Sequence, residues 1–265
     1  MHKITDIQLI LCDLDGTLLD DAKRADPYLK DILHEKKILL TFVSGRNYHI
    51  IQDLIKEYDI SIPYITNNGA NIFLRDQCIY EKSIVSDELI KALEILEAHD
   101  IPYLAYSNFK IFCKGSHPKL EFFKKRLEGT CEIVYDFHKD SLAQENIFKV
   151  VIIDTDTDFM KNIQNEIHFH CTHTHCVQSE GYVYTLSHRE VSKGATVTWL
   201  LQYLGINSRQ VIAFGDNYND ISMFNVAGIS VAVDNALEDI KKQADYVTKS
   251  NQEYGVSWFI KNFVK

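Results

Sequence analysis

The run Leu11-Cys12-Asp13-Leu14-Asp15-Gly16-Thr17-Leu18-Leu19 sets two carboxylates two residues apart at the end of an apolar stretch. Extended chain turns residues i and i+2 to the same side, and ligands of open α/β sheets bind at the carboxyl ends of strands. Gly16 permits a sharp turn, and Thr17 can hydrogen-bond the turn backbone. The plainer alternative is a pair of solvated carboxylates closing a loop. A second apolar stretch ends in Phe42-Val43-Ser44-Gly45-Arg46, where a hydroxyl and free N–H groups ahead of a helix suit a phosphate oxygen. Read alone, Ser44 is more simply a helix cap. Lys193-Gly194 offers a lysine on the first turn of a helix, which could simply be solvated. Gly215-Asp216-Asn217-Tyr218-Asn219-Asp220 follows a fourth apolar run; its acids, four apart, can converge on one cation. A turn with an Asp cap is the alternative.

These residues need a frame to bring them together. Strand-like runs at Ile7–Leu11, Ile38–Val43 and Tyr64–Thr66 alternate with helix-like stretches at Asp26–Lys36 and Tyr48–Tyr58, which is the pattern of βαβ units on a parallel sheet. It returns after residue 190: helix Val191–Leu204, strand Val211–Phe214, helix Asn219–Ala227, strand Ile229–Val233 and helix Gly255–Phe263. Both chain ends therefore contribute to one sheet. Between them the texture changes to hairpins, Tyr103–Tyr106 with Lys110–Cys113, and Thr174–Gln178 with Tyr182–Leu186 across Ser179-Glu180-Gly181. Helical patterns at Asp87–His99, His117–Leu127 and Asp156–Ile167 accompany them. The fold class is α/β, a Rossmann-like parallel sheet core formed by 1–82 and 188–265, with an inserted α+β domain at 83–187.

Taken in order, Asp13-Leu14-Asp15-Gly16-Thr17, Ser44-Gly45-Arg46, Lys193-Gly194 and Gly215-Asp216-Asn217-Tyr218-Asn219-Asp220 resemble the four motifs of the haloacid dehalogenase superfamily, and more narrowly its Cof-type phosphatases with an inserted α/β cap. Thr66-Asn67-Asn68-Gly69-Ala70 and Val231-Ala232-Val233-Asp234-Asn235-Ala236 extend the resemblance along the chain. One departure is that Val233 and Asp234 stand where such proteins often have Met and Gly; Asn235, which the resemblance turns toward the site, is kept.

The resemblance implies a Mg2+-dependent phosphatase acting on small phosphorylated metabolites, sugar phosphates first. Magnesium would be held by the Asp13 carboxylate, the Asp15 backbone carbonyl and Asp216, with Asp220 in support. Asp13 would attack phosphorus and become an aspartyl phosphate; Asp15 would protonate the leaving alcohol and then take a proton from water. Lys193 would keep Asp13 ionised and offset phosphoryl charge. Ser44 with Gly45 and Arg46, the backbone at Leu14, and Asn219 would hold phosphate oxygens. Asp15 must be neutral in the first step, and crowding by carboxylates pushes its pKa the required way while a nearby cation opposes it. The same nucleophile could serve a phosphomutase or phosphotransferase, and a non-catalytic sensor of phosphometabolites is a further class; retention of both Asp13 and Asp15 argues against the sensor.

The 265 residues carry 46% hydrophobic and 25% charged side chains, ordinary for a globular protein. A net charge of -9 disfavours non-specific nucleic-acid binding. Apolar runs such as Ile38–Val43 and Val150–Ile153 are far too short to span a bilayer, and Met1–Asp6 lacks a signal-peptide pattern. No membrane partner is expected, and the location expected is the cytoplasm. Six cysteines without a repeated spacing read as free thiols. His168, His170, Cys171, His173, His175 and Cys176 are dense but lack the separated ligand pairs of a structural zinc site.

Overall fold

The computed structural model describes residues 3–116, 118–127 and 131–265. The chain divides into two compact units: Met1–Asn47 with Ile51–Tyr80 and Ser192–Lys265, and Tyr48–Ile50 with Glu81–Val191.

In the first unit five strands lie parallel in the order Tyr246–Val247, Ile229–Ala232, Val211–Gly215, Leu9–Cys12, Leu39–Phe42. The Leu9–Cys12 strand is apolar throughout and wholly buried, as a parallel strand covered on both faces must be. It pairs Cys12 with Phe214 on one side and with Phe42 on the other. The ends of these strands, where Asp13, Val43-Ser44 and Gly215-Asp216 begin, are thereby level. A parallel bridge from Val43 to Ile65 ties in the Tyr64–Thr66 strand, which turns back antiparallel onto Asn71–Leu74. Leu9, Leu11, Val197, Leu200, Val211, Ala213 and Met223 are among the side chains of the core on one face.

Helix boundaries follow local chemistry. Lys193–Leu204 begins where the Ser192 hydroxyl accepts from the Ala195 N–H, 3.1 Å, and stops at Gly205 in the left-handed region. The stretch expected as Asp26–Lys36 is helical only over Leu29–Lys36. Pro27 biases Asp26 out of the α region, and the Asp26 carboxylate is taken by the Tyr28 N–H. The expected Asn219–Ala227 helix is one 3-10 turn, Tyr218–Asp220, followed by Ile221–Phe224.

The second unit is a six-stranded sheet in the order Thr174–Glu180, Val183–His188, Lys149–Ile153, Tyr103–Tyr106, Lys110–Lys114, Glu132–Val134. All neighbours are antiparallel except the last pair. Helices Ser86–Ala98 and Thr157–His170 supply Leu89, Leu93, Met160, Ile163 and Ile167 to its core. Asp156 caps the second by accepting from Asp158 and Phe159. The helix expected at His117–Leu127 runs over Pro118–Leu127, and His117 lies outside the described residues. Among the described residues no two cysteines are joined in a disulfide. In the His/Cys segment, His168 Nε2 accepts from the Cys176 N–H, His175 meets the Ser187 hydroxyl, and His173 stacks on His188. Among the described residues no helix is long and apolar enough to cross a membrane.

Candidate active site

Asp13 is the first residue past the Leu9–Cys12 strand, its N–H still bonded to the Phe214 carbonyl. Its carboxylate is 7% exposed. Lys193, held on the first turn of its helix and only 1% exposed, places Nζ 2.5 Å from Asp13 and 2.6 Å from Asp220. The solvated lysine that the sequence allowed is thus a buried ammonium between two carboxylates. Burial opposes its charge, but Asp13 and Asp220 outweigh burial and keep its pKa above the ordinary lysine value.

Asp220 is fully buried and fully engaged. One oxygen receives Lys193, and the other accepts from the backbone N–H groups of Asp216 and Asn217 at 2.9 and 3.0 Å. It therefore shapes the loop that carries Asp216. Thr17 donates its hydroxyl to Asp216 at 2.7 Å, linking the first loop to the fourth. Gly16 sits at φ +84, and a Cβ there would come within 2.5 Å of Asp216 Oδ2, so the position admits glycine on two counts.

Carboxylate oxygens of Asp13, Asp216 and Asp220 lie within 4.8 Å of one another. Three carboxylates face one ammonium. Burial raises the Asp13 pKa, Lys193 pulls it back, and Asp220 and Asp216 push it up again. Asp216 is raised to about 6, by burial first. Lys193 thus acts on Asp13 in the direction expected, against the upward push of burial and the two neighbouring carboxylates. An all-oxygen donor set short of positive charge fits a hard divalent cation.

Asp15 lies outside this trio. The strand ends at Cys12, so the alternation that would place Asp13 and Asp15 on one face does not reach Asp15, which lies in the Gly16 turn. Arg46 grips its carboxylate through Nε and Nη2 at 2.6 and 2.8 Å, and Lys23 adds a contact of 2.7 Å. Burial alone would raise its pKa; the Arg46 and Lys23 hydrogen bonds instead bring it down to about 2. The balance that the sequence left open falls on the ionised side. Lys23 had no signal in the sequence, being one lysine in a loop with other charged residues.

Ser44 is buried, and its hydroxyl accepts from the Arg46 N–H at 3.1 Å. The helix starts only at Tyr48, so Ser44 closes a turn ahead of it. Gly45 lies against Asn68, whose side-chain oxygen accepts from Asn219 Nδ2 at 2.9 Å. Asn68 and Asn67 both adopt positive φ, 58 and 53 degrees. Asn68 is a site neighbour that the motifs alone did not single out, although Asn-Asn-Gly is a recognisable left-handed turn. The Leu14 carbonyl accepts from Thr17, Leu18 and Leu19 and so closes the turn. Val233 is buried in the core, and Asp234 pairs with Lys241 at 3.2 Å, so the departure at these two positions turns to core and surface. Asn235 donates its amide to the Gly16 carbonyl, 2.7 Å.

A family model described as haloacid dehalogenase-like hydrolase matches residues 10–260. The 5-amino-6-(5-phospho-D-ribitylamino)uracil phosphatase YwtE of Bacillus subtilis is 27% identical, the alignment covering 96% of this chain and 97% of that protein. Phosphoglycolate phosphatase 1 of Saccharolobus solfataricus is also 27% identical, over 98% and 96%. The crystal structure of a haloacid dehalogenase-like hydrolase from Bacteroides thetaiotaomicron superposes with a TM-score of 0.84 at 27% identity, covering 96% of this chain and 98% of that one. The chain belongs to the haloacid dehalogenase-like hydrolases and is a phosphatase of that family.

Proposed function

We propose that this phosphatase is Mg2+-dependent and hydrolyses small phosphorylated metabolites, phosphorylated sugars and polyols first, through an aspartyl phosphate on Asp13. The observation that carries the reading is the buried Asp13 with Lys193 Nζ at 2.5 Å, inside a group of three carboxylates at the strand ends. The substrate class is supported by the ribityl phosphate named for the Bacillus relative. On this reading the unit built from both chain ends is the catalytic core, and residues 83–187 are its cap.

Asp13 and Asp216 would hold the cation, with the Asp15 carbonyl as a further ligand and Asp220 supporting both Lys193 and the Asp216 loop. When bound, a divalent cation neutralises the trio and the phosphoryl oxygens, against which attack by a carboxylate is otherwise repelled. Asp13 attacks phosphorus; the P–O bond to the leaving alcohol breaks, and Asp15 supplies the proton that oxygen needs. Water then attacks phosphorus of the aspartyl phosphate while Asp15 takes its proton, and the bond between Asp13 and phosphorus breaks to return the carboxylate and release inorganic phosphate. The second step uses the ionised Asp15 that Arg46 and Lys23 stabilise. The first needs a proton on Asp15, so those ion pairs must give way as substrate enters. Ser44, Gly45, Leu14 and Asn219 would orient phosphate oxygens, with Asn68 bracing Asn219.

Phosphate release from a panel of sugar, polyol and short-chain acid phosphates, with and without Mg2+, tests the reading. Turnover should appear only with the cation and be lost in Asp13→Asn, which nearly keeps shape but is a poor nucleophile. Wild-type rates in that variant would overturn the assignment.

A further inference from the structure

The turn that carries Asp15 is held from outside the reacting trio by two side-chain amides that the mechanism does not use. The turn closes on the Leu14 carbonyl, with Asp15 bridged to Leu19. Asn235 Nδ2 donates to the Gly16 carbonyl at 2.7 Å, and Asn251 Nδ2 donates to the Leu19 carbonyl at 2.9 Å. The two asparagines are themselves joined, since the Asn251 N–H donates to Asn235 Oδ1 at 2.9 Å. Each amide orientation is fixed by its partners: a carbonyl demands the Nδ2, and an N–H demands the Oδ1. Asn251 is 3% exposed, and Asn235 reaches in from an exposed loop.

We infer that Asn235 and Asn251 form a relay that positions the Asp15-bearing turn for proton transfer, acting through the backbone on either side of the acid. The inference rests on the role proposed above for Asp15. Among the described residues the Asp15 side chain is held by Arg46 and Lys23. Where that side chain points also depends on the backbone of its turn. That backbone is pinned toward the trio by Thr17 on Asp216 and away from it by the two asparagines. Gly16, at φ +84, is the flexible joint between these pins, and the Asn235 bond falls on its own carbonyl. Loosening it by about 1 Å is enough to cost roughly 100-fold in rate.

The test compares single-turnover phosphorylation by ribitol 5-phosphate, whose leaving alcohol needs a proton, with that by 2,4-dinitrophenyl phosphate, whose leaving group does not. Asn235→Ala and Asn251→Ala should slow the first by about 10- to 100-fold and the second by less than about threefold. KM should move less than about twofold. Asn235→Asp keeps the acceptor for the Asn251 N–H but sets a carboxylate against the Gly16 carbonyl, so it should match Asn235→Ala. The double alanine variant should be little worse than the poorer single one, as one relay is lost once. Because Asn251 is buried, melting curves accompany every variant, and the exposed Asn235 carries the inference if Asn251→Ala fails to fold. Equal loss on both esters, or a lower melting temperature with an unchanged ratio of the two rates, would overturn it. Asp15→Asn run alongside separates the two levels: no leaving-group dependence there removes the acid role and the relay with it. Dependence in Asp15→Asn without any in Asn235→Ala removes the relay alone.

Discussion

Replacing Lys193 with Met keeps the length of the side chain and removes its charge, which leaves Asp13 and Asp220 facing each other in a buried site. Both ion pairs are short, 2.5 and 2.6 Å, and Lys193 and Asp220 are essentially inaccessible. At an effective dielectric of about 20, a unit pair at such a distance is worth roughly 6 kcal/mol of attraction, much of it cancelled by desolvation. Breaking a buried pair by removing one partner costs about 3–5 kcal/mol. For a protein of this size that corresponds to a melting temperature lower by about 6–20 °C.

The sign of its pH dependence follows from Asp13, whose folded pKa lies above its unfolded value even with Lys193 present. A carboxylate raised on folding stabilises the protein below its unfolded pKa, and that stability is lost as pH rises through the folded pKa. Without Lys193 the pKa rises further, so the gap between variant and wild type should be small near pH 5 and should open as pH rises above neutrality. Saturating Mg2+ should recover part of it by restoring positive charge. Calorimetry on both sides of neutrality, with EDTA or with Mg2+, reads all of this. Turnover should fall by about 100- to 1000-fold, the cost of removing one fixed charge stabiliser. A Lys193→Met protein that melts within about 2 °C of wild type near pH 8 in EDTA, less than the shift from a single kcal/mol, would refute the claim that this lysine is the counter-ion of the buried pair.

Exhaustive chelation should abolish phosphate release and added Mg2+ restore it; Asp216→Asn should raise the Mg2+ concentration needed by about tenfold or more, since it removes one of few carboxylate ligands. Gly16→Ala forces a Cβ to within 2.5 Å of Asp216 Oδ2 at a φ of +84; it should lose about 1–2 kcal/mol from the backbone alone, read by urea melts, and turnover with it. Lys149, set over the Tyr106 ring at 4.7 Å, has its pKa lowered to about 8 by burial. The folded state therefore sheds this proton before the unfolded state does, and stability rises from about pH 8 to about pH 10.5. Lys149→Met should be more stable near neutral pH by about 1–3 kcal/mol, a gain that fades in denaturation curves measured toward pH 10.5.

Period and punctuation made the larger elements of the fold readable. Tyr64–Thr66 and Gly255–Phe263 are apolar or amphipathic enough to be found to the residue. Asp156 ahead of Thr157–His170 and Ser192 ahead of Lys193–Leu204 are caps whose chemistry is local. What escaped has little local signal. Tyr246–Val247 completes the parallel sheet with two residues, and Glu132–Val134 is three residues of a strand. Such short pieces are strands only because a neighbour's edge is there to accept them. Asn71–Leu74, missed as well, is fixed by the strained Asn67-Asn68 turn that reverses the chain before it.

The candidate site divides in the same way, and the division bears on mechanism. Asp13 and Asp15 are the same residue type two positions apart, and spacing gives no reason to treat them differently. Their environments are opposite because their partners come from distant parts of the chain. Burial, with Asp220 and Asp216 beside it, raises Asp13 against the pull of Lys193, whereas Lys23 and Arg46 hold Asp15 down to about 2. In the proposed mechanism each is then biased against its opening role, because the nucleophile resists ionising and the acid resists protonation. Both biases would reverse with ligands. A divalent cation lowers Asp13 by supplying the positive charge that one lysine cannot, and an incoming phosphate dianion competes with Asp15 for Arg46 and Lys23. The pairs that keep Asp15 ionised would therefore break when a substrate is present to receive its proton. On that reasoning Lys23 and Arg46 restrain the acid as well as stabilising the later base, and a phosphorylated ligand is what releases it.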